Sequence, residues 1–573
     1  MPPDDPERNS DHHPKHHLAH HPNHHLTDHP NPATALARVV VDEMAAAGVA
    51  LVVISPGSRS AALAIAAAEH PDLDTRVFID ERSAAFHALG AARASGRPVA
   101  VLSTSGTAPA HFFPAIIEAD MACVPLIAMS ADRPAELRGV GANQTIDQED
   151  LFGDKVRGQA LIEAPEPDVD SNVEWRSVVA GLVARSMQPK PGPVHLNVAF
   201  REPTVPVSDD GRTRSDSYRF PTPRLESEPT RPEVPLPTES ALEVSGHKGL
   251  VIAGDGRYDR FALTAEASRL GWPVLATALS GLRGESVVSS YRRILTDGIP
   301  EHLIPEVVVA VGSIGPDPSL EGLFAAAQQR VRVDWWGRHI DPGRNATERH
   351  AADPVRLLAG LEHETDPSWA AAWRHADQEC ETWLIEIVDA AKRITGAGVA
   401  RVLNHLDWGA LVVASSLPIR EVDAHLRRAG PVFANRGASG IDGFVSTSLG
   451  VAATIPRTLA LSGDLSLLHD ANGFLHDGVV DLTLIVIDNG GGGLFDSLPQ
   501  AVHAPQYERL FVADPERDLG ALARFHGARV EQIDDLSTLL RAAGEALPRP
   551  GVDVLVTPVH RKQDLEMRAQ LFG

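Results

Sequence analysis

Two strand-like stretches of this chain each end in an oxygen-bearing side chain able to hold a hard cation. Leu459-Ala460-Leu461-Ser462-Gly463-Asp464 ends in a carboxylate. Leu484-Ile485-Val486-Ile487-Asp488-Asn489, whose amide lies 25 residues after Asp464, runs on into Gly490, Gly491, Gly492 and Gly493. A carboxylate after one strand and an amide after the next converge at the carboxyl edge of a parallel sheet, where open α/β folds place their ligands. The spacing suits a strand, a crossover helix and a second strand. Such oxygen ligands suit a magnesium ion that keeps coordination positions for phosphate oxygens, and the glycines let the backbone come close to that group. Two ordinary strand-end turns are the competing reading, because Gly-Asp and Asn-Gly are common turn pairs.

The elements that must position this edge follow βαβ grammar. Between residues 32 and 203, Val49–Ile54 runs into Ser55-Pro56-Gly57-Ser58-Arg59. Pro98–Leu102 then runs into Ser103-Thr104-Ser105-Gly106-Thr107, and Val124–Met129 follows after a helix. Residues 204–240 are rich in proline, serine, threonine and charge, and read as a linker. A second α/β unit spans 241–362, with strands Gly249–Gly254 and Val307–Gly312. Its Gly254-Asp255-Gly256 lacks the third glycine of a dinucleotide loop, so a nucleotide-binding reading is weak. A third unit, 363–573, opens with a helix over about Trp369–Lys392 and includes strands Ala410–Ala414, the pair around the cation motif, and Val552–Val556. The expected class is α/β, in three domains, each a mainly parallel sheet flanked by helices.

At 573 residues the chain is too long for a single core. Its apolar content of 43% and charged content of 22% suit a soluble globular protein. A formal charge of -24 argues against nucleic acid or an anionic membrane as partner, so an anionic substrate must be caught by locally placed arginines. With only Cys123 and Cys380, both read as packing residues, a disulfide framework is implausible and the cytoplasm is the expected compartment. No apolar run is long enough to span a bilayer, so no membrane insertion is expected, and the first thirty residues hold no apolar signal core.

Residues 1–31 read as a disordered tail, and up to His29 they carry nine of the 26 histidines. Paired histidines bind transition metals, yet adventitious affinity explains them as well. Deleting residues 1–29 is expected to leave activity intact, which a steady-state assay of the truncated protein checks.

Several segments point to one family: Ser55–Ser60, Asp80-Glu81-Arg82-Ser83-Ala84, Thr104–Ala108, Ala131-Asp132-Arg133-Pro134-Ala135-Glu136-Leu137, Gly141-Ala142-Asn143-Gln144-Thr145-Ile146, Asn435-Arg436-Gly437-Ala438-Ser439-Gly440-Ile441-Asp442-Gly443, and the cation motif itself. Together they resemble the 2-succinyl-5-enolpyruvyl-6-hydroxy-3-cyclohexene-1-carboxylate synthase (MenD) family of thiamin diphosphate enzymes. The resemblance runs from Pro32 to Gly573. It implies a pyrimidine-binding domain, a central domain and a diphosphate-binding domain in that order. It also implies a homodimer or a dimer of dimers, because the cofactor lies between the first domain of one subunit and the third of its partner.

By the same resemblance, thiamin diphosphate is the cofactor, with magnesium or manganese held by Asp464, Asn489 and the Gly491 carbonyl. Glu81 is the catalytic carboxyl group that hydrogen-bonds the pyrimidine ring and promotes loss of the thiazolium C2 proton. Ile441 props the cofactor into a V shape. The implied substrates are 2-oxoglutarate and isochorismate, whose carboxylates suit the planar forks of Arg59, Arg133, Arg420 and Arg436, joined by Ser58, Asn143, Gln144 and Ser416. Any one of these arginines taken alone reads as a surface ion pair.

Leu494, Phe495 and Leu498 read as an apolar wall beside the thiazolium, with simple packing as the alternative. Asp488 stands where many family members have asparagine. The lysine-arginine pair that some members carry soon after residues 311–316 is missing here, so no cationic residue of the central domain is assigned.

The implied activity is decarboxylation of 2-oxoglutarate and addition of the resulting succinic semialdehyde carbanion to isochorismate, a transferase reaction of menaquinone biosynthesis. Another thiamin diphosphate 2-oxo acid decarboxylase or carboligase is the nearest rival, since it shares Glu81, Asp464 and Asn489 without needing this arginine set. A non-catalytic sensor on the same fold is the rival from another class.

Overall fold

The apolar runs fold into three six-stranded sheets in which every strand pair is parallel. The computed structural model describes residues 31–165, 172–205, 241–315, 317–362, 366–502, 505–513 and 516–573; the expected tail up to residue 30 and the expected linker from 206 to 240 lie outside them.

The first sheet contains β1 (Leu51–Ile54), β2 (Asp74–Val77), β3 (Val99–Ser103), β4 (Leu126–Asp132), β5 (Gln159–Ile162) and β6 (Val194–Ala199), ordered 2-1-3-4-6-5. The second contains β7 (Gly249–Ala253), β8 (Val274–Ala276), β9 (Val287–Val288), β10 (Val307–Val311), β11 (Gln329–Val333) and β12 (Glu348–His350), ordered 12-11-10-7-8-9. The third contains β13 (Ala410–Val413), β14 (Val432–Phe433), β15 (Thr458–Gly463), β16 (Leu482–Asp488), β17 (Arg529–Gln532) and β18 (Val552–Pro558), ordered 14-13-15-16-18-17. The first and third sheets therefore share one strand order. In each the direction of winding reverses beside the first strand, between β1 and β3 and between β13 and β15, which opens a crevice at the carboxyl ends.

Helices cover both faces of each sheet, which is why the strands read as unbroken apolar runs. Neighbouring residues feed opposite layers: Val52 and Val53, Leu250 and Val251, and Leu411 and Val412 each divide between two separate apolar clusters. No helix among the described residues is long and apolar enough to cross a membrane. Cys123 is buried and Cys380 partly so, both as free thiols.

Two features depart from the reading by spacing. Ahead of Glu81, β2 ends at Val77, registered Leu51 to Asp74, and Phe78 leaves the sheet to bridge His476 of the third unit, a contact the strand pattern does not announce. The helix Pro367–Asp389 spans two units: Trp369 and Trp373 enter the second-unit core, whereas Leu384 and Val388 pack with Ala397 and Leu571. The first and third units meet through the helices Glu81–Ser95 and Phe444–Ala452. A Cβ at Gly90 would lie 2.2 Å from the Thr447 carbonyl oxygen, and one at Gly450 2.1 Å from that of His87, so glycine is what lets the two backbones touch.

Candidate functional site

Asp464 begins a helix directly after β15, and Asn489 follows β16, the neighbouring strand. Asp464 is buried, and its Oδ2 accepts the backbone N–H groups of Gly491 at 2.7 Å and Asn489 at 3.2 Å. The side-chain oxygen of Asn489 faces the Gly491 carbonyl oxygen at 2.5 Å and Asp464 Oδ2 at 3.2 Å. Three oxygens thus converge with no hydrogen between them. A half-turn of the Asn489 amide would relieve this with an N–H donor, and a divalent cation would relieve it with the carbonyl left pointing inward. Burial, reinforced by Asp488, raises the Asp464 pKa against the backbone donors that oppose it. That marks a carboxylate short of positive charge. Leu494 and Phe495 continue from this loop, half-buried, with Phe495 5.8 Å from the Phe511 ring, while Leu498 is more exposed.

Arg420 and Arg436 come together beside the ends of β13 and β14. Arg420 Nη1 donates to the Ser416 carbonyl oxygen at 2.6 Å, and Arg436 Nη1 to Ser415 Oγ at 3.4 Å. Ser416 holds a strained φ of 75° at the start of the helix Leu417–His425. Burial, then the charges of Arg292 and Arg436, lower the Arg420 pKa; burial also lowers that of Arg436, opposed by Glu118 and Asp423. Like charges gathered in a low-dielectric place are prepared for an anion.

The central unit does reach this cluster. Arg292 Nη1 donates to the Arg420 carbonyl oxygen at 3.1 Å, its Nε lies 3.3 Å from Asp317, and its guanidinium sits 5.1 Å over the Phe572 ring. Asp423, on the Arg420 helix, accepts from Ala278 N at 2.6 Å and from Tyr291 Oη, fastening that helix to the central unit. The sequence carries no signal for these roles, since Arg292 sits in an ordinary Tyr-Arg-Arg-Ile run.

In the first unit, Ser58 and Arg59 follow β1 and Arg133 follows β4. A Cβ on Gly57 would lie 2.2 Å from Thr104 Cβ, so glycine allows the turns after β1 and β3 to touch. Arg133 donates to Ser105 Oγ, Gln144 Nε2 donates to the Ser105 carbonyl oxygen at 3.0 Å, and Arg59 pairs with Glu202 at 3.1 Å. Burial, then Arg59, lowers the Arg133 pKa. Ser58, Asn143 and Gln144 are exposed, and Gln144 has φ 52°.

A buried network supports this set: Asn197 Nδ2 donates to Asp132 at 2.8 Å, Gln148 Nε2 to Asn197 at 3.0 Å, and Gly106 N to Gln148 at 2.9 Å. Sequence reasoning missed these residues, which are polar side chains scattered among apolar ones.

Glu81 is the first residue of its helix, whose cap Asp80 accepts from Arg82 N at 2.9 Å. Its carboxylate is half-buried and makes no hydrogen bond or ion pair with another described residue. Its neighbours are tied to the third unit of the same chain: Asn472 donates to Asp80 at 2.8 Å, Arg82 to the His469 carbonyl oxygen at 3.0 Å, and Val77 N to Asp477 at 2.7 Å. Ile441 is half-buried between the Arg436 loop and the helix Phe444–Ala452. The structure thus gathers two groups, one in the first unit and one in the third. Among the described residues no hydrogen bond or ion pair joins Glu81, Arg59, Arg133 or Gln144 to Asp464, Asn489, Arg420 or Arg436.

Comparison with known proteins places these groups in context. Residues 34–151 match the family model of the thiamine pyrophosphate enzyme N-terminal TPP binding domain. A 2-succinyl-5-enolpyruvyl-6-hydroxy-3-cyclohexene-1-carboxylate synthase of Thermobifida fusca (strain YX) is 41% identical over 524 residues, covering 88% of this chain and 90% of the relative. Synthases of the same description from Chloroflexus aurantiacus and Saccharopolyspora erythraea are 38% and 37% identical, covering 88% and 95% of this chain and 90% and 100% of the relatives.

Proposed function

The chain belongs to the family of 2-succinyl-5-enolpyruvyl-6-hydroxy-3-cyclohexene-1-carboxylate synthases, and from that premise we propose that it decarboxylates 2-oxoglutarate and adds the succinic semialdehyde unit to isochorismate. It is an enzyme that uses thiamin diphosphate. When bound, that cofactor would supply a nucleophilic carbon and an electron sink for decarboxylation of a 2-oxo acid. The chain's own residues bind, orient and exclude water.

Asp464, the Asn489 oxygen and the Gly491 carbonyl would hold magnesium or manganese against the diphosphate; the donor set fits, since the end of the Asn489 amide lies 2.5 Å from the Gly491 carbonyl oxygen and 3.2 Å from Asp464 Oδ2 and can present its oxygen there. Glu81 would hold a hydrogen bond at the pyrimidine ring, and Ile441 would support the cofactor's shape. Arg420 and Arg436 with Ser416, and Arg59 and Arg133 with Ser58, Asn143 and Gln144, would orient the dicarboxylates and lower the entropic cost of bringing two substrates together. Leu494 and Phe495 would keep water from the reacting carbon.

A homodimer, alone or paired into a dimer of dimers, would bring the first-unit group of one subunit to the third-unit group of its partner. The lack of any hydrogen bond or ion pair between the two groups among the described residues is in keeping with this, as are the exposed apolar Ile79 and Val479, at 68% and 72%, where the two units meet. The cytoplasm is the proposed compartment, in keeping with free thiols.

The observation that carries this reading is the placement, at strand ends of one sheet, of buried Asp464 bonded to the Asn489–Gly491 loop and of Arg420 and Arg436 bonded to Ser416 and Ser415. Arg420→Ala is expected to raise KM for 2-oxoglutarate roughly ten- to a hundredfold, the scale of a charged hydrogen bond of about 1.5–3 kcal/mol, with cofactor affinity unchanged. Steady-state kinetics and calorimetry together check it. An unchanged KM would remove Arg420 from the substrate site.

A further inference from the structure

Glu118 lies on the helix Phe113–Ala122 of the first unit and is 3% exposed. A buried carboxylate is costly unless its oxygens are satisfied. Here both are satisfied by the third unit: Oε1 accepts from Gly437 N at 2.7 Å and Oε2 from Ala438 N at 2.6 Å. These are short, charge-assisted bonds to two successive amides, so they fix the direction of the backbone as well as its distance. Arg436 immediately precedes that pair, and Ile441 follows three residues after it.

The surroundings serve the same contact. A Cβ on Gly437 would lie 2.9 Å from the Glu118 carbonyl oxygen and 3.0 Å from Met121 Cβ, so only glycine lets helix and loop meet this closely. Arg93, on the helix that Glu81 begins, donates from Nη1 to the Ala434 carbonyl oxygen at 2.6 Å and lies 3.9 Å from Glu118 Oε1. Asn435 Nδ2 donates to Thr447 Oγ1 at 3.0 Å on the other side of the loop. The loop is therefore held at 434, at 435 and at 437–438, and the first unit supplies two of the three holds.

We propose that Glu118 is a positioning residue that clamps the 434–441 loop and so sets where Arg436 and Ile441 point. Groups that orient a site's ligand-binding side chains govern affinity without touching the ligand. The choice of 2-oxoglutarate as the probe rests on the synthase reading; the clamp itself does not.

Glu118→Gln keeps the shape but turns an NH2 group toward one of the two backbone donors. In the full chain with magnesium and thiamin diphosphate, amide hydrogen exchange over residues 435–443 is expected to quicken about tenfold, and KM for 2-oxoglutarate to rise about tenfold while kcat moves less than about threefold. Gly437→Ala, which displaces the same contact from the loop side, is expected to give the same pattern, so a folding defect peculiar to one variant does not decide the matter. Parental exchange and parental KM in both variants would overturn the clamp. So would a lowered thermal midpoint with KM unchanged, which marks a purely structural role. If the parent protein itself does not turn over 2-oxoglutarate, the synthase reading fails; exchange then decides alone, with faster exchange upholding the clamp and unchanged exchange overturning it.

Discussion

Glu81→Gln is expected to fold, to bind thiamin diphosphate and to turn over at least about a hundredfold more slowly than the parent, the range in which positioned acid–base groups act. Glu81 heads a helix whose cap is secured by Asp80, whose apolar residues are buried in the first unit's core, and whose backbone packs closely on the helix Phe444–Ala452. Its carboxylate contributes no hydrogen bond or ion pair among the described residues, so its loss removes none of the contacts that hold the two units together. The amide is isosteric and keeps an acceptor oxygen, but it cannot exchange a proton with the cofactor ring. Rapid-quench or steady-state turnover checks the rate, and circular dichroism checks the fold. Near-parental turnover would strip Glu81 of its role.

Asp464→Ala has a different expected effect: it removes cofactor binding itself. Asp464 supplies the one charged oxygen of the converging set, and its Oδ2 also accepts the Asn489 and Gly491 amides that shape the loop. Removing it takes away a cation ligand and loosens the two others. Magnesium-dependent affinity for thiamin diphosphate is expected to fall about a hundredfold or more, since even outer-shell partners of metal ligands are worth up to about that much. Titration calorimetry with and without magnesium reads it directly, and retention of tight magnesium-dependent binding would place the cation elsewhere.

The two variants also test the shared site. If each site takes its first unit from one subunit and its third from the other, a Glu81→Gln/Asp464→Ala heterodimer has one doubly damaged site and one intact site. Mixing the inactive variants after dissociation is then expected to restore about a quarter of parental activity, the statistical value for random pairing into two-site dimers. No recovery from re-formed dimers would mean that each chain builds its site alone.

How much of the molecule is legible in the chain depends on where the information sits. The parallel sheets were legible because strands covered on both faces are continuous apolar runs, as at Val307–Val311 and Leu459–Leu461. Asp464 and Asn489 were legible because each ends such a run. The arginines could be picked out only through resemblance, because a lone arginine looks the same in a surface ion pair as in an anion site.

Glu118, Arg292 and the Asp132–Asn197–Gln148 network were not legible at all. Glu118 meets Gly437 across 319 residues of sequence, and nothing in the local pattern of either residue announces the other. The glycines of Gly254-Asp255-Gly256 show the converse. A Cβ at Gly254 would lie 2.1 Å from the Ser313 carbonyl oxygen, so close packing of two loops accounts for a residue that resembles part of a nucleotide motif.

A synthase of this kind joins two substrates. Purified protein incubated with magnesium, thiamin diphosphate and 2-oxoglutarate, with and without isochorismate, and analysed by mass spectrometry tests it most directly. The expected result is a succinylated cyclohexene adduct that forms only when isochorismate is present. Carbon dioxide and succinic semialdehyde in both samples, with no adduct in either, would contradict it and leave a simple 2-oxo acid decarboxylase.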